Sequence, residues 1–341
     1  MKNEIDRRKF ITTGAVGAGA AVLSGCAAFD RVGYSMILGD AMGKGAMDLP
    51  PLQKGDGAGI DEAWFQNYIK DFIKNDTSNQ LGGQYGAEPI FKEPLIGFAR
   101  GADSLFEEYK EIIGAFHFTP EEAIEWASNQ QGISTPSIKK VSVVSFVMPL
   151  ADKIVEDNAA QDRWCSSRWA HGRYSGGLLG KKLMRDLVSD LAEHGVLAVA
   201  PEAMPQYRIK NHKGVGWASH WSQRHIAFAA GLGSFGMNDF FISEKGTAHR
   251  CGSIVVALPL EPNRERHPHY RHNCLHHQTG GCLVCAERCP VGANSENGHD
   301  KNKCGNNVFR NVPRNQVVNE INIYGCGLCG SGTPCAQEVP I

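Results

Sequence analysis

The first half of the chain has apolar residues at helical spacing in three places. Between residues 61 and 75, aromatic and apolar side chains recur every three or four positions, which predicts an amphipathic helix. A second helix is predicted over residues 102–113. A third should begin at Thr119, because Pro120 suits the first helical position and Glu122 stands three residues after the cap, as a capping box requires.

From residue 136 onwards the pattern alternates between strand and helix. Residues 141–148 form an almost unbroken apolar, β-branched run, which is typical of a strand buried on both faces. The elements predicted after it are a helix over 179–194, a strand over 196–200, a helix over 222–230 and a strand over 253–260. This alternation predicts an α/β layered core over residues 136–262.

The first 26 residues are predicted to be a targeting segment. Arg7 and Arg8 precede a mildly apolar run that is too short and too rich in Gly and Ala for a typical transmembrane span. This arrangement resembles a twin-arginine export signal, with a Sec signal as the alternative. Residues 23–26 also resemble a lipobox. We therefore expect a chain in the periplasm or on the outer face of the cytoplasmic membrane, where a lipidated Cys26 or a membrane anchor protein would provide any membrane attachment.

Composition narrows the class of protein. The chain has 341 residues, a formal net charge of −1 and 42% hydrophobic residues, which is ordinary for a globular protein. The charge gives no electrostatic reason to expect a nucleic-acid partner, so none is predicted. Eight of the eleven cysteines fall between Cys274 and Cys335. A secreted disulfide protein usually spreads its cysteines through the fold, so this crowding indicates metal.

One cysteine string has a known spacing. Cys282, Cys285 and Cys289, followed by a proline, match the last three cysteines of the bacterial ferredoxin run C-x2-C-x2-C-x3-C-P. Thr279 stands where the first cysteine belongs, and Cys274 is the expected substitute. In ferredoxins with two clusters the last cysteine of this run binds the other cluster.

Eight cysteines are the number that two 4Fe–4S clusters need. Following the ferredoxin crossover, the ligands are assigned as Cys274, Cys282, Cys285 and Cys335 for the first cluster and as Cys289, Cys304, Cys326 and Cys329 for the second. One or two zinc sites, each with four cysteines, are the alternative. The predicted ferredoxin-like domain covers residues 263–341.

A glycine string follows the helix predicted over residues 222–230. Gly231, Gly233 and Gly236 let the backbone turn tightly and approach a large flat ligand, since no Cβ stands in the way. A dinucleotide site would need a strand before this string. The order of glycine string, basic Arg250 and clustered cysteines resembles the cobalamin-dependent iron–sulfur reductases that include reductive dehalogenases and epoxyqueuosine reductase, over roughly residues 138–335.

The resemblance implies a nitroreductase-like α/β core that binds a corrinoid, followed by a ferredoxin-like domain with two 4Fe–4S clusters. The implied cofactor-binding residues are Gly231, Gly233, Gly236 and Asn238. By position, Tyr174 matches the tyrosine that donates a proton in the dehalogenase branch, and Arg250 matches the basic residue beside it. The carboxylate of the epoxyqueuosine branch has no counterpart in residues 216–221, which weighs against a tRNA substrate.

Three functions are consistent with these patterns. The first is an exported, corrinoid-dependent iron–sulfur reductase that acts on a small organic molecule, with an electron donor that the sequence does not identify. The second is a two-cluster ferredoxin-type electron carrier with an enlarged N-terminal part. The third is a cytoplasmic relative of epoxyqueuosine reductase. The expected organisation is a signal over 1–26, a mainly helical region over 27–135, the core over 136–262 and the cluster domain over 263–341.

Overall fold

The structure, a computed structural model, describes residues 48–340. The expected targeting segment, its twin arginine and Cys26 lie outside the described residues. No helix in the described part of the chain is both long enough and apolar enough to cross a membrane.

The N-terminal part supplies three helices and one strand. They are α1 (Glu62–Asn75), β1 (Leu95–Arg100), α2 (Leu105–Ile112) and α3 (Pro120–Gln131). The capping box predicted at Thr119 is present, since its side chain accepts from the Glu122 amide and the Glu122 carboxylate accepts in return. Strand β1 was not predicted from the sequence.

A long helix dominates the next part of the chain. The elements here are β2 (Ser142–Pro149), α4 (Asp152–Ala159), α5 (Ser167–Glu193) and β3 (Ala198–Val199). Helix α5 begins well before the predicted start at residue 179. Its cap is Ser166, whose hydroxyl oxygen accepts from the Trp169 amide at 3.0 Å. Buried small residues such as Ala170, Gly172 and Gly176 continue its inner face without adding to an apolar pattern.

Short strands and one helix complete the core. They are β4 (Ile209–His212), β5 (Gly216–Ser219), α6 (Gln223–Ala229), β6 (Gly233–Phe235), β7 (Phe241–Ser243) and β8 (His249–Val256). Strands β4 with β5 and β6 with β7 form two separate antiparallel hairpins. Strand β8 is the strand predicted over residues 253–260, shifted toward the N-terminus.

A four-stranded sheet in the order β1-β2-β8-β3 forms the middle layer, and every neighbouring pair in it is antiparallel. Val144, Phe146 and Met148 of β2 pack on one face with residues of α1, α4 and α5. Val143 and Val147 pack on the other face with residues of α2, α3 and α6. Helices therefore cover both faces, and the mixed α/β fold and the doubly buried strand are confirmed.

The cysteine-rich part packs against one end of this sheet. Its elements are α7 (Leu275–Thr279), α8 (Val284–Glu287), β9 (Asn294–Ser295), β10 (Gly298–His299) and α9 (Lys301–Asn319). Buried Asn158 donates to the Ser331 hydroxyl at 2.8 Å, and the Thr247 amide donates to the Cys335 carbonyl at 2.8 Å. These bonds hold the cysteine loops next to the point where β8 begins.

Candidate functional site

Four thiols form a first group at the end of the sheet. Burial raises the pKa of the Cys285 thiol to about 12, and the neighbouring thiols of Cys335, Cys274 and Cys282 add to the shift. The same four cysteines line a small cavity together with the chain around Gly236. This is the set assigned to the first cluster by the ferredoxin crossover.

A second group contains the other four cysteines. Burial raises the pKa of Cys304 to about 12, with Cys326 and Cys289 as the nearest thiols. Burial also raises the pKa of Cys329 well above its usual value, with contributions first from Cys304 and Cys326 and then from Cys285 of the first group. The two groups are therefore neighbours, and each contains the cysteines that the sequence pattern places together.

The thiol groups have the chemistry that a multi-iron cluster requires. A buried thiol resists ionisation unless a cation compensates the thiolate, and iron does so when it is bound. Within residues 48–340, no three Cys, His, Asp or Glu side chains approach closely enough to hold a single metal ion. The ligands of a four-iron cluster stand further apart than those of one tetrahedral ion, since each binds a different iron atom.

Turns in the cysteine loops depend on neighbouring side chains. The Ala293 amide donates to the Cys289 sulfur at 3.1 Å. Arg288 donates to the carbonyls of Leu328 at 2.9 Å and Ala159 at 3.0 Å, so it joins two cysteine loops to helix α4. These contacts fix the cysteine loops against each other and against helix α4.

Three polar side chains lie close together near the thiol groups. Glu202, Tyr207 and Arg250 are half-buried, and their charges influence one another. We infer that they line a recess of the protein, called the cavity below. Its walls come from three places: the turn after β3, the chain before β4 and the first residues of β8.

Glu202 is the carboxyl group of this cavity. The Tyr207 hydroxyl donates to Glu202 Oε1 at 3.3 Å. Burial raises the pKa of Glu202, although Gln223, Arg250, Tyr207 and Lys181 all oppose that shift. Desolvation therefore has a larger effect on this pKa than the nearby cations and hydrogen bonds have. Glu202 takes up a proton more readily than a carboxylate in water does.

A polar chain runs from the core to Gln223. The Trp221 indole donates to Ser253 Oγ at 2.9 Å, and that hydroxyl donates to Gln223 Oε1 at 2.6 Å. The amide of Gln223 lies near Glu202, but its Nε2 makes no hydrogen bond of good geometry within the described residues. A buried donor of this kind costs free energy unless a partner accepts from it.

A second, half-buried carboxylate behaves in the opposite way. Asp239 has a positive φ of 58° and its Oδ2 lies 3.2 Å from His299 Nδ1. Burial alone would raise its pKa, but the hydrogen bond from His299 and the charges of Lys301 and Arg224 outweigh burial and lower it. Asp239 is therefore an ionised member of a charge cluster beside Cys304.

The structure describes both residues that were predicted to be catalytic, Tyr174 and Arg250. Arg250 lines the cavity, and its charged or ionisable neighbours are Arg173, Tyr324, Glu202 and Cys251. Tyr174 lies on α5 and packs in a small apolar cluster with Cys165, Ala170 and Ile323. Tyr324 belongs to the same cluster as Tyr174 and is also a neighbour of Arg250. The proton-donating role of Tyr174 stays a prediction.

Close packing inside the protein explains why glycines stand at positions 231, 233 and 236. A Cβ on Gly231 would lie 2.9 Å from Arg264 Cβ, one on Gly233 2.2 Å from the Ile242 carbonyl oxygen, and one on Gly236 2.7 Å from Asn238 Oδ1. Asn238 in turn donates to the Cys329 carbonyl at 2.6 Å. These residues pack hairpin β6–β7 and fasten it to the second thiol group. Their contact with a cofactor stays a prediction.

Sequence reasoning missed Glu202, Tyr207 and Gln223. A usable signal existed for the first, because Glu202 stands two residues after the end of a predicted strand and side chains just beyond strand ends often reach a site. Tyr207 and Gln223 reach this place because the chain folds back toward the sheet after β3. No pattern among neighbouring residues in the sequence predicts that path.

Comparison with curated proteins gives two relatives. No protein-family model matches this chain. It is similar to the epoxyqueuosine reductase of Staphylococcus aureus, with 27% identity over 265 residues, and to that of Bacillus cereus, with 25% over 256 residues. The alignments cover 71% and 70% of this chain and 64% and 60% of the relatives. The chain therefore spans less than two thirds of their length.

Solved structures give distant likenesses. An epoxyqueuosine reductase with an epoxyqueuosine-modified tRNA-Tyr stem loop has a TM-score of 0.40 at 17% identity, over 80% of this chain and 66% of that one. A reductive dehalogenase has a TM-score of 0.40 at 15% identity, over 85% and 35%. Likenesses this distant carry no argument about activity. The names of the curated relatives agree with the resemblance noted in the sequence and with the prediction of an oxidoreductase.

The prediction of a small-molecule substrate and no nucleic-acid partner is wrong in the light of these proteins. The curated relatives are epoxyqueuosine reductases, and an enzyme of that name has been solved with a tRNA stem loop. The prediction rested on the net charge of −1, which is an average over the whole chain. The average hides hairpin β4–β5, where Lys210 and Lys213 are exposed just after exposed Arg208.

Proposed function

We propose that this chain is an oxidoreductase that takes electrons through two 4Fe–4S clusters to a corrinoid in the cavity. Its proposed substrate is an epoxide-bearing nucleoside of tRNA. The observation that supports this most strongly is the placement of two groups of four cysteines beside one polar cavity.

The proposed ligands of the clusters are the two thiol groups. Cys274, Cys282, Cys285 and Cys335 would hold one cluster, and Cys289, Cys304, Cys326 and Cys329 the other. When bound, the clusters supply electrons one at a time and the corrinoid supplies a strongly reducing centre. Asn238 and Asn158 hold the second group against the core, which keeps the distance to the cavity short.

The cavity residues fit an amide-rich, polar cofactor. Gln223 Nε2 and Arg173 Nε are buried nitrogens without a hydrogen-bond partner in the described part of the chain. Arg250 and Lys181 add cationic groups to the same region, where Glu202 lies near both. Unpaired buried donors cost about 1–3 kcal/mol each, so a ligand that accepts from them would recover that energy.

The rim of the cavity suits a polyanionic substrate. Hairpin β4–β5 starts two residues after Tyr207 and ends at Ser219, whose side chain also interacts with Tyr207. It carries exposed Lys210 and Lys213, with exposed Arg208 immediately before it. Basic side chains on a protruding hairpin can contact phosphates while a base or nucleoside enters the cavity.

Anaerobic purification followed by loading with cobalamin tests the proposal. We expect about eight iron and eight sulfide per chain, as two 4Fe–4S clusters require, and bound cobalt. With a strong one-electron reductant, the loaded protein should convert an epoxyqueuosine-modified tRNA stem loop to its queuosine form, detected by mass spectrometry of the digested nucleosides. Stoichiometric zinc without sulfide, or a fully loaded protein that leaves the stem loop unchanged, would contradict the proposal.

The cellular compartment of the protein determines whether tRNA is available to it as a substrate. Export through residues 1–26 stays a prediction, because those residues lie outside the described part of the structure. Fractionation of cells that produce the full-length chain with a C-terminal tag tests it. A tRNA substrate requires the protein in the cytoplasmic fraction, and recovery only outside the cytoplasm would remove tRNA from consideration while leaving the cofactor assignment intact.

A further inference from the structure

We infer that His276 donates a hydrogen bond to the first 4Fe–4S cluster and thereby raises the reduction potential of that cluster. The inference rests on the cluster assignment proposed above, but not on the proposed corrinoid or tRNA substrate. His276 lies on α7 and lines the small cavity beside the first thiol group. We call this cavity the cluster pocket, and its cysteines are Cys274, Cys282, Cys285 and Cys335.

One nitrogen of the His276 imidazole lies inside the protein. Nδ1 is buried and has no hydrogen-bond partner within residues 48–340, although the residue as a whole is half-buried. A buried polar nitrogen without a partner costs free energy, so it indicates a group that joins the site when the protein is loaded. In the cluster pocket, the group that four thiols would hold is the cluster.

Two other polar side chains of the cluster pocket already have partners. Asn238 Nδ2 donates to the Cys329 carbonyl at 2.6 Å, and Asn238 Oδ1 accepts from the Phe240 amide at 3.1 Å. The Thr333 hydroxyl lies 3.5 Å from Cys335 Sγ. Apart from the cysteines and His276, the rest of the wall is glycine and apolar side chains: Gly236, Met237, Ile242, Leu275, Pro334 and Pro340. The imidazole therefore contributes the unused polar atom of this wall.

Hydrogen bonds hold α7 against hairpin β6–β7. The Asn273 amide donates to Ser234 Oγ at 2.7 Å, and Asn273 Nδ2 donates to the Ile242 carbonyl at 2.9 Å. At the other end of the helix, the Gly280 amide donates to the His276 carbonyl at 2.7 Å. The backbone of His276 is thus fixed from both sides, so its side chain stays at the wall of the cluster pocket.

A hydrogen bond fits this imidazole better than a bond to iron. The four irons of one cluster have four cysteines in the pocket, so each iron already has its ligand. The acceptors that remain are the inorganic sulfides and the cysteine sulfurs. Reduction adds one electron from an external one-electron reductant to the iron, while the N–H proton stays on Nδ1. Because the reduced cluster is the more negative one, an N–H directed at its sulfur stabilises it and raises its potential.

A redox titration of the full chain with both clusters loaded tests the inference. His276→Phe keeps a ring but has no N–H. The equilibrium constant for reduction of the first cluster by dithionite should therefore fall about tenfold, which is about 59 mV for a one-electron step. His276→Asn can place an amide near the position of Nδ1 and should recover part of that loss. Electron paramagnetic resonance would follow the reduction, which needs neither cobalamin nor tRNA.

Two controls assign the shift to the first cluster and to the buried ring. His277 is exposed on the same helix, so His277→Phe should leave both midpoint potentials unchanged. The midpoint that moves in His276→Phe should be the one that is missing from Cys285→Ser. Unchanged potentials in a fully loaded His276→Phe would overturn the inference.

Pulsed electron paramagnetic resonance of protein labelled with nitrogen-15 histidine gives a second readout. A weak nitrogen coupling to the reduced first cluster should appear in the wild type and disappear in His276→Phe. A strong coupling, as from a direct iron–nitrogen bond, would make His276 a ligand and overturn the hydrogen bond, as would the absence of any histidine coupling. If His276→Phe loses iron, the wild-type spectrum decides by the same criteria. A protein with these signatures that leaves the stem loop unchanged would instead overturn the proposed substrate.

Discussion

At the scale of single residues, burial has different consequences for two carboxyl groups of the same site. Glu202 has cations nearby but forms no ion pair within residues 48–340, and burial raises its pKa. Asp239 is equally deep, but a direct hydrogen bond from His299 lowers its pKa. Specific partners rather than depth decide the charge, and enzymes commonly separate the acid and ionised roles of two carboxyls in this way.

A surface ion pair shows the same rule with a measurable effect on stability. The hydrogen bond from Lys182 lowers the pKa of Asp76 from 3.8 to about 2. Because the folded-state value is the lower one, the pair stabilises the fold above about pH 4, and this stabilisation is lost as the pH falls toward 2. Asp76→Asn should cost about 1 kcal/mol at pH 7, after allowance for solvent screening, and almost nothing below pH 2.

Urea unfolding at several pH values would measure this difference. Asp71→Asn is the matched control, because Asp71 is exposed on the same helix, α1. An Asp76→Asn cost that did not change between pH 7 and pH 2 would show that the ion pair is not its source.

At the scale of elements, the glycines of this string allow the two strands of hairpin β6–β7 to pack closely. Gly233 has a φ of 154°, and a Cβ there would meet the carbonyl oxygen of Ile242 at 2.2 Å. Backbone cannot move away as a flexible side chain can, so Gly233→Ala should destabilise the fold by about 3 kcal/mol. The hairpin also carries Asn238, so loss of iron from the second cluster should accompany the change.

The control for this substitution is Gly214→Ala. Gly214 also has a positive φ, 84°, but nothing lies within 4 Å of the added Cβ. Its cost should be about 1 kcal/mol, since only backbone strain remains. Thermal unfolding of both variants would measure the two losses of stability. Equal losses would mean that backbone strain, and not the close contact with Ile242, makes glycine necessary at position 233.

Hairpin β4–β5 gives a prediction about binding. Charge reversal by Lys210→Glu with Lys213→Glu should weaken binding of a tRNA stem loop and reduce the slope of log K against log salt by about 2, one for each phosphate contact. The same reversal at exposed Lys139 and Lys140, which precede β2, is the control. Filter binding over a range of salt would measure the slopes, and equal slopes for both variants would contradict a role for the hairpin.

At the scale of the whole molecule, the cavity lies where several chain segments leave the same end of the sheet. Strand β2 ends opposite His249, where β8 begins, and the chain after β3 arrives at the same edge. The cysteine loops close that edge through Thr247 and Asn158. An antiparallel sheet with helices on both faces thus leaves one open end, and the site occupies it.

The grouping of thiols predicts how iron responds to substitution. Cys285→Ser and Cys304→Ser fall in different groups, so each should remove about half of the iron, as the loss of one cluster of two requires. Cys165→Ala should retain all the iron, because Cys165 is not one of the eight assigned ligands, although it lies near Cys326. Iron analysis of anaerobic preparations tests this, and loss of all iron from either serine variant would mean that the groups do not load independently.

Local patterns were sufficient for several of the regular elements. The repeat in α1, the capping box of α3 and the run of β2 each report a periodicity or a cap that neighbouring residues create. The spacing of Cys282, Cys285 and Cys289 carries the ferredoxin pattern in the same way. Helix α5 was predicted too short because its first half buries small residues, which leave no apolar periodicity.

The sequence by itself determined the chemistry available: eight clustered thiols and a core strand buried on both faces. Only the tertiary structure decided which polar residues share the cavity. Glu202, Tyr207, Gln223 and Arg250 are scattered along the chain, and they meet because β3 and β8 are antiparallel neighbours. Sequence periodicity reports which face of an element is buried, whereas the ionisation of a buried group depends on neighbours that long-range folding supplies.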